Sequence, residues 1–353
     1  MAHQTMLAQN SMKALPIHAR APWLAPLAGF SDLPFRLLCR EMGAAVACTE
    51  MVSAKGLVYG LRQKKGCSGT EDLLVTTPGD RPLVVQLFGA EAPFLAEAIA
   101  ILRERGFTHF DLNMGCSVPK VTKTGAGSAM LRDIPNALNS ARAMIEAAGQ
   151  GNVGFKMRLG WDAGAEVYEH LACQLEAMGA GWLCLHPRFA RQGFSGEADW
   201  RALARLRQKV ALPLIASGDL FSAKDGVRCV QETGVDSVMF ARGAIQSPAV
   251  FSFYLRMMDG ETALPEQLPG PELLRLIRRH AALAKELTPG KTGRSGLPPA
   301  LLKMRTVVPR YVKHLPRIKE LRLALARCTG WEDLDRTLEG FFRPGQGGVG
   351  SVE

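Results

Sequence analysis

Three groups able to do chemistry follow short apolar segments in this chain. Cys116 comes after His109–Asn113, Lys156 and Arg158 end the run that begins at Val153, and His186 ends the run that begins at Trp182. A thiol next to a glycine, here Gly115, can donate a proton or attack an electrophile. The neighbouring Lys120 and Lys123 favour thiolate, whereas proton donation needs the thiol protonated. Lys156 and Arg158, two residues apart, lie on one side of a strand, so one of them can face an electron-rich ligand. Further on, Ser217-Gly218-Asp219-Leu220 and Ala241-Arg242-Gly243-Ala244 close two more apolar runs. Their small residues let backbone N–H groups approach an anion, and Arg242 adds charge. Gln86 ends another run. Singly, each has a plain structural reading: a packed cysteine, a satisfied histidine, a turn. Occurring together at strand ends, they describe one mouth that holds a thiol and a phosphorylated ligand.

The elements that must position these groups alternate regularly. Eight strand patterns can be read: 23–28, 45–50, 83–88, 109–114, 153–159, 182–187, 213–217 and 237–241. Helical patterns lie between them, at 34–42, 92–105, 137–148, 165–178, 200–209 and 223–233. Nearly all-apolar strands are those of a parallel sheet covered on both faces. Eight β/α units predict a (β/α)8 TIM barrel, whose catalytic groups sit at strand C-termini and whose phosphate site follows strands seven and eight. A doubly wound open sheet would call for a GxGxxG turn after the first strand, which is absent. The organisation expected is an arm at 1–20, a barrel at 21–258, a Pro/Gly linker at 259–271, a small helical domain at 272–342 and a disordered tail at 343–353.

Charge divides the chain in the same way. The net charge is +10, yet Glu272–Arg327 alone carries 14 Lys/Arg against 3 Asp/Glu. The barrel is therefore near neutral and the helical domain basic, which points to an anionic partner or to a solvated helix face. No apolar run is long enough to span a bilayer, and the N-terminus lacks the apolar core of a secretory signal. Eight scattered cysteines fit neither a metal site nor a disulfide framework and suit a reducing cytoplasm.

Several segments, read in order, resemble the tRNA-dihydrouridine synthases. They are APLAGFSDLPFR (25–36), TEMVSA (49–54), VQLFG (85–89), DLNMGCSVPKV (111–121), GAGSAML (125–131), KMRLGWD (156–162), LHPRFARQGFSGEADW (185–200), PLIASGDL (213–220) and MFARGA (239–244). The resemblance covers about residues 21–342 and is closest to the B-type bacterial branch. It implies FMN across the mouth, with Pro26, Leu27 and Ala28 behind the ring, Gln86 at its pyrimidine edge, Lys156 at the N1/O2 side and His186 nearby. Ser217, Gly218, Asp219, Ala241 and Arg242 would surround the phosphate. It implies NADPH as reductant and a tRNA uridine as substrate, reduced at C5–C6 with Cys116 as general acid. Asn113, Arg158 and Arg188 would hold the base, and Lys303, Arg305, Arg310 and Lys313 the tRNA backbone. No metal, membrane or obligate protein partner is implied, and a monomer is expected. The chain departs from the family pattern at Ser117, Pro187, Ser217, Ala241 and Arg310. Two other readings stay open: an FMN barrel acting on a free pyrimidine, and a non-catalytic RNA-binding barrel.

Overall fold

The computed structural model describes residues 14–62, 68–288, 293 and 296–343. Most of the expected arm and tail lies outside the described residues. Nine strands form: β1 (Trp23–Leu24), β2 (Val46–Cys48), β3 (Val52–Ser53), β4 (Leu83–Phe88), β5 (His109–Met114), β6 (Val153–Arg158), β7 (Trp182–His186), β8 (Leu214–Ala216) and β9 (Ser237–Phe240). All their pairings are parallel, and β1 joins β2 to β9. Pairing of β2 with β4 closes the barrel through Ala47 and Leu83. The eight strands expected from sequence are β1, β2 and β4–β9. The two-residue β3 is additional and extends the edge of β4 by pairing Val52 with Leu87. The first strand is shorter than expected, because the chain leaves the ladder after the Ala25 N–H donates to the Phe240 carbonyl, and residues 26–28 form a loop at the mouth. Pro26 has no N–H with which to continue it.

Alternate residues of the strands meet inside the barrel. Trp23, Ala25, Val46, Cys48, Val84, Trp182, Cys184, Ile215 and Met239 form one buried cluster. The Trp23 and Trp182 rings pack at 5.7 Å. Trp182 fits only because β6 offers Gly154 beside it, where an added Cβ would lie 2.0 Å from the indole. Gly154→Ala is therefore expected to destabilise the barrel by about 1–3 kcal/mol, as overpacking does. Urea unfolding checks this, and a change below about 0.5 kcal/mol would contradict it. The opposite strand faces and the surrounding helices form the larger core, which runs on into the C-terminal helices.

The helices read from sequence all occur, some with trimmed ends; Ala223–Thr233 appears as expected and ends at Gly234 in the left-handed region. Sequence periodicity missed shorter helices, Ala54–Arg62, Pro119–Thr122 and Arg242–Gln246. The loop at 122–128 packs: a short helical turn at Gly127–Arg132 buries Gly127 and Ser128.

The helical domain comprises Gly270–Leu287, Pro299–Tyr311, Ile318–Arg327 and Trp331–Phe342. Pro309 lies within the second of these helices. The domain docks on the first barrel helix, Leu33–Glu41. His280 packs against Phe35 at 5.7 Å, Arg279 pairs with Glu41 at 2.6 Å and Lys303 with Asp32 at 2.7 Å. Arg310 stacks on Phe30 at 4.7 Å. The basic domain is thus held against the loop that follows β1 at the mouth.

Candidate active site

Strand register brings the mouth together. Gln86 of β4 pairs with Asp111 of β5, Asn113 with Lys156 of β6, and Arg158 with His186 of β7. A cavity opens over these strand ends. It is lined by Ala25–Ala28, Cys116, Lys156, His186, Ser217–Phe221 and Ala241-Arg242.

Cys116 is half-buried and held entirely by its backbone. Its N–H donates to Asn113 Oδ1 at 2.9 Å, and the Gly115 N–H donates to the same oxygen at 3.1 Å. Its carbonyl accepts from the Ser128 amide at 2.9 Å and the Ser128 hydroxyl at 3.0 Å. Gly127 makes this possible: at φ +65° a Cβ there would sit 2.6 Å from the Cys116 oxygen. The Gly115 carbonyl accepts from Arg158 Nε at 2.9 Å. The thiol is left free of these clamps and lines the cavity.

Lys156 also lines it. Among the described residues its ammonium has no hydrogen-bond or ion-pair partner. Beneath it runs a buried polar chain. Asn113 Nδ2 donates to Gln86 Oε1 at 2.8 Å, and Gln86 Nε2 donates to Asp111 Oδ2 at 2.6 Å. Burial pushes the Asp111 carboxyl up to about 7, opposed by the Gln86 bond and the Lys156 charge. Gln86 is fully buried one layer below the mouth, with both ends of its amide occupied. Gln86 thus lies below the cavity lining, in a supporting position, whereas the resemblance implies a contact with the pyrimidine edge of the flavin.

On the far side an arginine organises the loops. Arg188 is 1% exposed. It donates to both carboxylate oxygens of Asp219 at 2.8 and 2.7 Å, to the carbonyls of Ser195 and Gly196, and to His186 Nε2 at 3.2 Å. With all five N–H groups engaged, Arg188 has none left for a substrate, contrary to its expected contact with the base. Asp219 has φ 54°, an uncommon conformation for aspartate, and follows Gly218 at φ 104°. Burial would raise the Asp219 pKa. Hydrogen bonds from Arg188 and the Ala198 amide, with the charges of Arg188 and Arg242, outweigh it and lower the pKa. An ionised carboxylate repels a phosphate, so Asp219 serves by holding Arg242, which donates to it at 3.0 Å. Arg242 lies between Phe194 and Phe221 at 4.7 and 4.6 Å from their ring centres. Burial, then Lys156, Arg158, Arg188 and Arg242, push the His186 imidazole far below its usual range. It is therefore neutral, with Nε2 accepting and Nδ1 carrying the proton.

Arg158 is committed in part: Nε donates to the Gly115 carbonyl and Nη1 to those of Phe189 and Gly193, while Nη2 makes no hydrogen bond among the described residues. It ties the Cys116 loop to the loop after β7, although its side chain also borders the cavity. Of the four cations expected on the RNA backbone, Arg305, Arg310 and Lys313 gather with Arg322 around a second depression that includes Gln246. Lys303 does not join them, since Asp32 and the Phe30 carbonyl hold it at the domain junction. Arg305 is partly occupied by the Cys328 carbonyl. Sequence reading missed Ser128, Phe194, Phe221 and Arg322. Only Phe194 and Phe221 carry a detectable signal, as bulky apolar residues inside Gly/Ser-rich loops.

Among the described residues no group of side chains could hold a metal ion, and no helix is long and apolar enough to cross a membrane. The chain was compared with known proteins. A probable tRNA-dihydrouridine synthase 1 of Synechocystis sp. is 37% identical over 236 residues, 67% of this chain and 64% of the relative, so the match spans just under two thirds of that protein. The tRNA-dihydrouridine synthase B of Pseudomonas aeruginosa is 33% identical over 262 residues, 73% of this chain and 76% of the relative. A probable tRNA-dihydrouridine synthase of Aquifex aeolicus is 28% identical but matches 90% of this chain and 94% of its own length. Among solved structures, a morphinone reductase mutant in complex with tetrahydroNAD superposes with a TM-score of 0.49 at 13% identity, over 67% of this chain and 86% of that one. That likeness is too distant to bear on chemistry. The dihydrouridine synthase (Dus) family model matches residues 23–342, from the first barrel strand through the mouth to the last helix of the basic domain, and on this ground the chain belongs to the dihydrouridine synthase family.

Proposed function

We propose that this chain is a flavin-dependent tRNA-dihydrouridine synthase that reduces the C5–C6 bond of a D-loop uridine with FMN and NADPH. The observation that carries the reading is the Lys156 ammonium, held beside the Cys116 loop in a cavity and without an acidic partner among the described residues. A cation so placed suits an anion or an electron-rich ring. The donor set fits FMN: an apolar wall at Ala25–Ala28, a cation at Lys156, and Arg242 with small residues at the far end. FMN bound by these residues would, once reduced, be the source of the hydride for C6 of the base. Lys156 favours negative charge on its side of the cavity. Neutral His186 offers a hydrogen bond and no charge. Cys116 holds at Sγ the proton that C5 requires once hydride addition leaves an enolate-like anion.

A base in folded RNA must leave its stack to reach such a mouth. Val118, Phe194 and Phe221 rim the cavity and are three of the seven large apolar side chains exposed among the described residues. They give the base an apolar surface to meet. The five-residue helix 242–246 runs from Arg242 at the mouth to Gln246 at the depression formed by Arg305, Arg310, Lys313 and Arg322. Phosphates bound there would hold the substrate in position without reading sequence. A monomer acting in the cytoplasm, where tRNA is modified, completes the reading.

Anaerobic flavin spectroscopy tests the reading. Protein reduced with NADPH should reoxidise when mixed with tRNA lacking dihydrouridine, and far more slowly with free uridine or uracil. Equal or faster reoxidation by the free pyrimidine would move the assignment to a small-molecule oxidoreductase. A colourless protein that binds tRNA and takes up no FMN would move it to a non-catalytic RNA-binding barrel.

A further inference from the structure

Asp111 has no assigned part in this site, yet the Cys116 loop depends on it through three consecutive hydrogen-bonded groups. Its Oδ2 accepts from Gln86 Nε2 at 2.6 Å, Gln86 Oε1 accepts from Asn113 Nδ2 at 2.8 Å, and Asn113 Oδ1 accepts from the N–H groups of Gly115 and Cys116 at 3.1 and 2.9 Å. An amide has two ends of similar shape and opposite polarity, so shape alone does not choose which way Gln86 or Asn113 points. A carboxylate only accepts. It turns the Gln86 NH2 toward itself, which leaves the Gln86 oxygen for Asn113. The Asn113 oxygen is then left for the two loop amides. Turned the other way, Asn113 would set an NH2 group against two N–H donors, and the loop would lose both bonds.

We infer that Asp111 is a positioning residue that sets the polarity of the Gln86–Asn113 chain and thereby holds the backbone of Cys116 at the mouth. Asp111 is 3% exposed and has no ion-pair partner among the described residues. A buried carboxylate bonded to a neutral amide is costly unless its charge has a use. The raised carboxyl pKa is consistent with that cost. The inference rests on the proposed function for what the loop does, though not for how the loop is held.

The test compares the FMN-loaded wild type with Asp111→Ala and Asp111→Leu, which lack the acceptor, and Asp111→Asn, which keeps one in only one of its two orientations. Residue-resolved hydrogen exchange reads the Gly115 and Cys116 amides directly. In Asp111→Ala these two should exchange about tenfold faster or more, the change expected for loss of one hydrogen bond, while amides in the outer helices stay as they were. Asp111→Leu answers the same question if the alanine cavity prevents folding. With tRNA as substrate, kcat should fall about tenfold or more in the same variants, with KM for tRNA within about twofold, since a displaced acid affects turnover more than binding. Asp111→Asn should fall between wild type and alanine on both scales. Exchange at Gly115 and Cys116 unchanged in Asp111→Ala and Asp111→Leu would overturn the inference whatever the activity. A wild type inactive on tRNA would instead sink the proposed function and leave the exchange comparison intact.

Discussion

Cys116→Ala is expected to lower the rate of uridine reduction by about 10²–10⁴-fold, the usual contribution of a positioned general acid. The substitution is clean because the loop is held by main-chain atoms. The Cys116 N–H and C=O are bound by Asn113 and Ser128, and the Gly115 carbonyl by Arg158. Alanine keeps all of these, so the protein should fold, bind FMN and take up reducing equivalents from NADPH as before. Stability should change by about 0.5 kcal/mol or less, as is usual away from buried networks. Single-turnover reoxidation by tRNA isolates the affected step. Reoxidation of the alanine variant at the wild-type rate would remove Cys116 from the mechanism.

Arg188→Met is expected to destabilise the protein by about 1–3 kcal/mol, because it removes the main partner of the partly buried Asp219 carboxylate and several loop hydrogen bonds with it. Arg188 is the only side chain that bridges the loop after β7 to the loop after β8 by a bidentate pair, with Asp219, among the described residues. Its loss also removes the donor to the Gly196 carbonyl, while the Ser195 carbonyl keeps Gln192 Nε2. Asp219 keeps the Ala198 amide and Arg242, but its positive-φ backbone loses its main anchor. FMN affinity should therefore fall along with stability. Arg188→Lys restores the charge without the planar fork and should recover only part of the loss. Chemical denaturation with and without FMN measures both effects, and a change under about 1 kcal/mol would show that Arg242 and the loop backbone suffice.

The barrel was legible because fully buried parallel strands appear as nearly continuous apolar runs, and β4, β6 and β7 in particular carry polar side chains only where they approach the mouth. The two-residue β3 has no periodicity to detect. The mouth was legible because reactive residue types stood at strand ends, where a barrel displays them. What could not be read was how those residues pair. Arg188 and Arg158 have the composition of substrate clamps, yet the donors of Arg188 are consumed by loop carbonyls, His186 and Asp219, and Arg158 spends Nε and Nη1 on loop carbonyls. Gln86 looks like a ligand contact, yet Asp111 and Asn113 hold it one layer down. Lys303 belongs to the basic count of the helical domain, but Asp32, far off in sequence, neutralises it. A charge tally cannot separate paired from unpaired cations, because the pairing is set by tertiary contacts. Arg322 shows the converse: an ordinary surface helix residue by sequence, it completes a cluster with Arg305, Arg310 and Lys313 only once the helices pack.

The central claim is that a base in tRNA is reduced at this mouth with a proton from Cys116. Mass spectrometry of nuclease-digested tRNA tests it most directly, using tRNA from cells lacking dihydrouridine, incubated with NADPH, FMN and either wild-type protein or Cys116→Ala. The account predicts a gain of two hydrogens on one D-loop fragment with the wild type and little or none with the variant in the same time. No gain on any fragment, with FMN bound and NADPH consumed, would contradict it.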